Sequence, residues 1–204
     1  MSATQLAVPA GDALVASAAA LRAAFAADAG MPAIHEAARK TGDAWIDALL
    51  EGFLLPLAAA SRGPGAGLRT AATVHDLGER VIEQAIRKAD RKRVAAFVAF
   101  LDARLDGAVL RAPVDDTLAA AIAPALEGDD PEALATALHA TIDAALRRFL
   151  DEPLATLGLG ALTAAAMRVG RFAVARRTHR EVDRAVQAPE SAARLRAALA
   201  QFVS

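Results

Sequence analysis

The residues best suited to metal binding or proton transfer in this chain are four histidines, His35, His75, His139 and His179. Three of them have a carboxylate one helical turn on: Glu79 after His75, Asp143 after His139 and Asp183 after His179. That spacing puts each pair on one helix face. Facing helices that carry His and carboxylate ligands are how bundles hold di-iron or zinc. The Glu-x-x-His spacing of di-iron bundles is nowhere in the chain, and the histidines do not recur in the internal repeat described next. They read as surface partners, with no metal and no cofactor expected.

Two aspartates carry more weight, because the chain writes their surroundings twice. Ala44–Ala58, AWIDALLEGFLLPLA, returns as Ala140–Ala155, ATIDAALRRFLDEPLA. Ala44, Ile46, Asp47, Ala48, Leu50, Phe53 and Leu54 recur 96 residues later, and Pro56, Leu57 and Ala58 recur 97 later as Pro153, Leu154 and Ala155. Asp47 and Asp143 sit at the edge of the apolar stripe of this repeated helix, where a carboxylate must be paired or hydrogen-bonded. The plain expectation is a cap or an arginine bridge. The functional one is two carboxylates facing each other across a pseudo-axis and binding a cation or basic ligand. With Trp45, Phe53 and Phe149 they make up the candidate ligand-binding residues.

The elements that must position these residues are helical. Ala, Leu, Arg and Glu favour helix, few stretches alternate as strands do, and seven Phe and one Trp are the only aromatics. Residues 1–11 read as a loose arm, with Asp12 as N-cap of a first helix to about Ala29. The core helix spans about 33–55, is continuous through Gly42, and is kinked or stopped by Pro56. After the loop at 61–67, helices are expected at about 68–89 and up to 105. The order then restarts past a seam at 107–113: Pro113 and Asp116 echo Pro9 and Asp12, and Asp130 caps the second core helix. A long helix over about 154–188, broken by Pro189, and a last one over 190–202 complete the chain. The expected fold is therefore all-α, a helical bundle built as a tandem duplication of a four-helix unit of about 100 residues. Residues 1–106 form the first helical repeat and 107–204 the second, packed as one pseudo-two-fold globular domain.

One short motif points elsewhere. Thr73–Gly78, TVHDLG, resembles the His-Asp core of the HD-type phosphohydrolases, which are all-helical metal enzymes. The resemblance covers six residues. It implies His35, His75 and Asp76 as metal ligands and phosphate-ester hydrolysis. The chain departs from the pattern in having Glu79 after Gly78, where the family often has lysine, and in lacking an evident last aspartate.

Bulk composition excludes several classes. A net charge of −1 supplies no global field for nucleic acid, and the basic cluster Arg87–Arg93 has neither stacking aromatics nor a reading motif. The absence of cysteine removes disulfides and thiolate metal sites and fits a reducing cytoplasm. The longest uncharged run, Pro153–Met167, falls short of the ~20 residues of a membrane span. No phosphate loop or nucleophile elbow is present. These absences lean away from an enzyme and towards a cytoplasmic, non-enzymatic helical module. Its expected partner is a protein or an apolar small molecule held between or on the repeats. No nucleic acid and no transmembrane segment are expected, and homo-oligomerisation is left open. A metal-dependent helical hydrolase is the alternative. A surface-active coat protein comes third, disfavoured by nine prolines and thirteen glycines.

Overall fold

The computed structural model describes residues 4–63, 68–158 and 161–203. It is 82% helix with one small three-stranded sheet, so helices set its class as expected. In chain order the elements are β1 (Gln5–Pro9), α1 (Gly11–Ala26), α2 (Met31–Leu49), a π-helical turn π1 (Leu50–Leu54), α3 (Leu55–Arg62), α4 (Leu68–Lys88) and α5 (Arg91–Arg104). They are followed by β2 (Leu105–Asp106), β3 (Val109–Pro113), α6 (Asp116–Glu127), α7 (Pro131–Leu146), a second π turn π2 (Arg147–Asp151), α8 (Glu152–Thr156), α9 (Ala161–Ala185) and α10 (Pro189–Phe202).

The sheet corrects the sequence reading twice. The arm at the N-terminus is a strand, and the seam near 107–113 is a hairpin. β1 pairs antiparallel with β3, Gln5 opposite Pro113 and Pro9 opposite Val109, and β3 pairs with β2 across a turn at Gly107. Gly107 has φ +58, a conformation glycine adopts without cost. Leu6, Val8, Leu110 and Ala112 alternate inward and are buried, which is what makes such short strands stable. Val203 bridges Leu6 from the other end of the chain.

Helix starts and stops also differ in detail. Ala10, not Asp12, stands at the start of α1, and no side chain caps the helix, because alanine has no acceptor to offer; the Ala10 N–H itself donates to the Ala108 carbonyl. Asp115 rather than Asp116 caps α6, accepting from the Leu118 N–H at 2.9 Å. Asp130 caps α7 as expected. Pro56 does not stop the core helix. The π turn has already broken the regular hydrogen-bond ladder there, so the missing proline N–H costs little and α3 runs on to Arg62. The expected helix over 154–188 is two helices, because Gly158 turns the chain with φ +71. Pro189 opens α10, at a position where a helix has no use for an N–H.

One apolar core takes residues from both halves of the chain. Trp45, Phe53, Phe97 and Phe149 are its largest fully buried side chains. Two glycines let α2 and α4 approach closely. A Cβ on Gly42 would overlap Ile82 Cγ2, and one on Gly78 would lie 3.0 Å from Ile46 Cδ1. The stretch Met31–Arg62 is long and apolar enough to cross a membrane by length and composition, but 61% of its most apolar window is buried in this core.

Candidate functional site

The expected site residues separate into two groups. Trp45, Phe53 and Phe149 are core: the Trp45 indole N–H donates to the Phe149 carbonyl at 2.6 Å, and Phe53 packs on Phe202 with centroids 4.7 Å apart. The space bordered by Gly42, Trp45, Ile82, Phe149 and Leu154 amounts to about 10 Å³, no more than one water would need, and its walls are apolar.

Asp47 and Asp143 lie at the surface instead, each about half exposed, and each reaches a histidine on the neighbouring long helix. Asp47 Oδ1 is 3.2 Å from His75 Nε2, joining α2 to α4, and Asp143 Oδ1 is 3.3 Å from His179 Nε2, joining α7 to α9. Among the described residues neither bridges an arginine. The two line separate hollows rather than one shared space.

The HD-type set is not assembled. His35 Nε2 bonds the Ala89 carbonyl at 2.8 Å, just past the end of α4. His75 lies within that helix 14 residues earlier, about 21 Å away at helical rise, with Asp76 next to it. His75 Nδ1 is 3.8 Å from Asp76 Oδ1. The ligands that the resemblance implied therefore cannot share an ion.

What the structure does bring together is His139, His179, Asp143 and Asp183, between α7 and α9. The imidazole rings stack, with centroids 4.2 Å apart and planes at 22°. His139 Nε2 lies 3.0 Å from Asp183 Oδ1 and 3.3 Å from the His179 carbonyl. Each histidine thus contacts the aspartate belonging to the other's helix, not the one four residues on from itself. Burial first, and then His139, hold His179 below the ordinary histidine value, against the pull of Asp143 and Asp183. Nearly parallel stacked rings aim their nitrogen lone pairs side by side instead of at one point. Consistent with that, no three His or carboxylate groups among the described residues are placed to hold a metal.

Asp43, Asp47 and Glu79 make the α2–α4 corner acidic. Asp43 is partly buried and pairs with Arg39 at 2.9 Å. Burial pushes its carboxyl up against the pull of Arg39, with Glu79 and Asp47 adding to the rise.

The residues that sequence reasoning passed over lie on α9. Val169 and Phe172 are 71% and 64% exposed, and they are the large apolar side chains left in solvent among the described residues. Phe172, Arg176 and Arg180 stand between two open hollows. One, of about 1000 Å³, contains the stacked histidines; the other, of about 810 Å³, lies between α9, α10 and the end of α3. A signal was present in the sequence: two apolar residues three apart, set among arginines and off the inward stripe of partly buried Val174 and buried Ala175 and Val182.

The chain matches no protein-family model, no curated protein and no solved structure.

Proposed function

We propose that this chain is a non-enzymatic helical interaction module, made by tandem duplication of a unit of about 100 residues, and that α9 is the face that engages a protein partner. The duplication reading draws support from the element order. A strand, two helices, a π turn, a short helix and two further helices occur before β2, and the same succession follows it. The strands that lead the two halves, β1 and β3, are each other's antiparallel partners. Two-fold pairing of this kind is how a copied unit covers its own open face.

The observation that carries the binding reading is the exposed pair Val169 and Phe172. Val169 and Phe172 stand exposed one helical turn apart beside an open hollow, and it is grouped rather than scattered apolar exposure that points to a contact surface. The histidine cluster lacks the convergent geometry of a metal site, and the aromatic residues first suspected are packed in the core, which leaves α9 as the better surface. Placing a photo-crosslinking phenylalanine at Phe172, and in parallel at Ala19 on the exposed side of α1, tests this in the native cell. Discrete protein adducts should form from position 172 and not from position 19. Failure to form adducts from 172, or identical adducts from both positions, would remove α9 as the binding face.

A further inference from the structure

Resting on that reading, we infer that the hollow between α9, α10 and the end of α3 receives an acidic amphipathic helix of a partner protein. The argument begins with spacing. Val169, Phe172, Arg176, Arg180 and Arg184 follow one another at intervals of three or four residues. At 3.6 residues per turn they occupy one stripe about 120° wide. From Val169 to Arg184 the stripe is about 22 Å long at 1.5 Å per residue, the length of four turns of a partner helix. Its first part is apolar and the remainder cationic.

Charge settles what kind of helix. Arg62, Arg176, Arg177, Arg180 and Arg184 line the hollow against one carboxylate, that of Glu181. Glu181 is already engaged twice, by Arg62 at 3.0 Å and by Arg177 at 3.2 Å, and its side chain is only 15% exposed. Arg176, Arg180 and Arg184 have no carboxylate partner among the described residues. Three guanidinium groups in a row, each able to grip a carboxylate with two parallel hydrogen bonds, call for acidic side chains one turn apart on the incoming surface. The walls between them are the methyl groups of Ala173, Ala185 and Ala188. A second helix can lay small apolar side chains against those walls, as in other helix-in-groove complexes. A phosphate backbone would leave them uncovered, and a second copy of this chain would have to bring carboxylates, not this same stripe.

The test uses the full chain and a labelled 16-residue peptide with Leu at i, i+3, i+7 and i+11 and Glu between them. The same peptide with Lys for Glu, a single-stranded oligonucleotide, and vesicles containing phosphatidylserine are the comparison probes. The Glu peptide is expected to bind, with the affinity falling as salt rises. Arg176→Gln, Arg180→Gln and Arg184→Gln should each weaken it about threefold, as exposed ion pairs do. Phe172→Ser should weaken it about tenfold while leaving the circular dichroism melt unchanged. Equal binding of the Lys peptide, preference for the oligonucleotide or vesicles, self-association that the three Gln substitutions abolish, or no binding of any probe by the folded chain would each overturn the proposal. If position 172 still crosslinks to protein in cells while the Glu peptide fails to bind, the acidic helix is excluded and the interaction face stands; loss of both removes both.

Discussion

His139 and His179 stack ring on ring across the α7–α9 interface, 4.2 Å between centroids, and each leans on the other's aspartate. Burial, and then the neighbouring His139 ring, favour the neutral form of His179 at this interface, against the pull of Asp143 and Asp183. That has a consequence for acid stability.

His179 is held below the ordinary value of 6.5, first by burial and then by His139. Between the folded value and 6.5 the unfolded chain binds more protons, so stability rises with pH in that window. The contribution of neutral His179 is complete above about pH 6.5 and is lost as pH falls towards the folded value. The partly buried Asp43 and Asp151, whose carboxyls are raised by burial, act in the opposite direction at lower pH. Urea midpoints should be lower at pH 5.5 than at pH 7.5, and His179→Gln should flatten the difference. An equally steep profile in that variant would clear the pair of the effect.

Gly42 allows α2 to touch α4. Replacing it with Ala adds helix propensity but forces a methyl into the Cγ2 methyl of the β-branched Ile82. Gly42→Ala should therefore destabilise despite the better intrinsic preference, and Gly42→Val more so, by about 1–3 kcal/mol as overpacked cores do. Equilibrium denaturation measures both, and a stabilised Ala variant would show that α2 and α4 separate at little cost.

Trp45 is the single tryptophan, and its indole N–H reaches into the second π turn. Trp45→Phe keeps most of the apolar volume and deletes the donor, leaving a buried carbonyl without that bond. The expected loss is about 1–3 kcal/mol. In the parent protein its fluorescence should shift to longer wavelength in one step with the circular dichroism signal. An early shift would mean that this contact between the halves opens before the helices melt.

Each half leaves surface that the other covers. Residues 1–106 alone would lack the partner of β1 and the acceptor of Trp45. That fragment should be poorly helical or should self-associate, as read by circular dichroism and sedimentation. A stable, helical monomer would weaken the proposed duplication, because a unit that needs no twin would have no reason to pair with one.

Much of the scaffold was legible in the amino-acid order. The stripe through Ile46, Leu49, Leu50 and Phe53, the cap at Asp130 and the helices after Leu68 and Arg91 are local patterns, and local patterns survive folding. The strands were not legible. Gln5–Pro9 is five residues long, ends in proline, and owes its conformation to Val109–Pro113, about a hundred residues away. The turn at Gly158 was not legible, because the alanines and leucines on either side of it favour helix. For the site, periodicity correctly put His179 and Asp183 on one face. It could not show that His179 would turn to Asp143 on another helix, since that depends on how α7 and α9 cross. Phe172 carried only a weak signal, its place among arginines, because an apolar residue is expected inside.

Phe172, Arg176 and Arg180 form a wall common to both hollows on this side of the protein. The two recesses therefore have a boundary in common, and a group seated against the arginines of α9 would lie next to the hollow of the histidine pair.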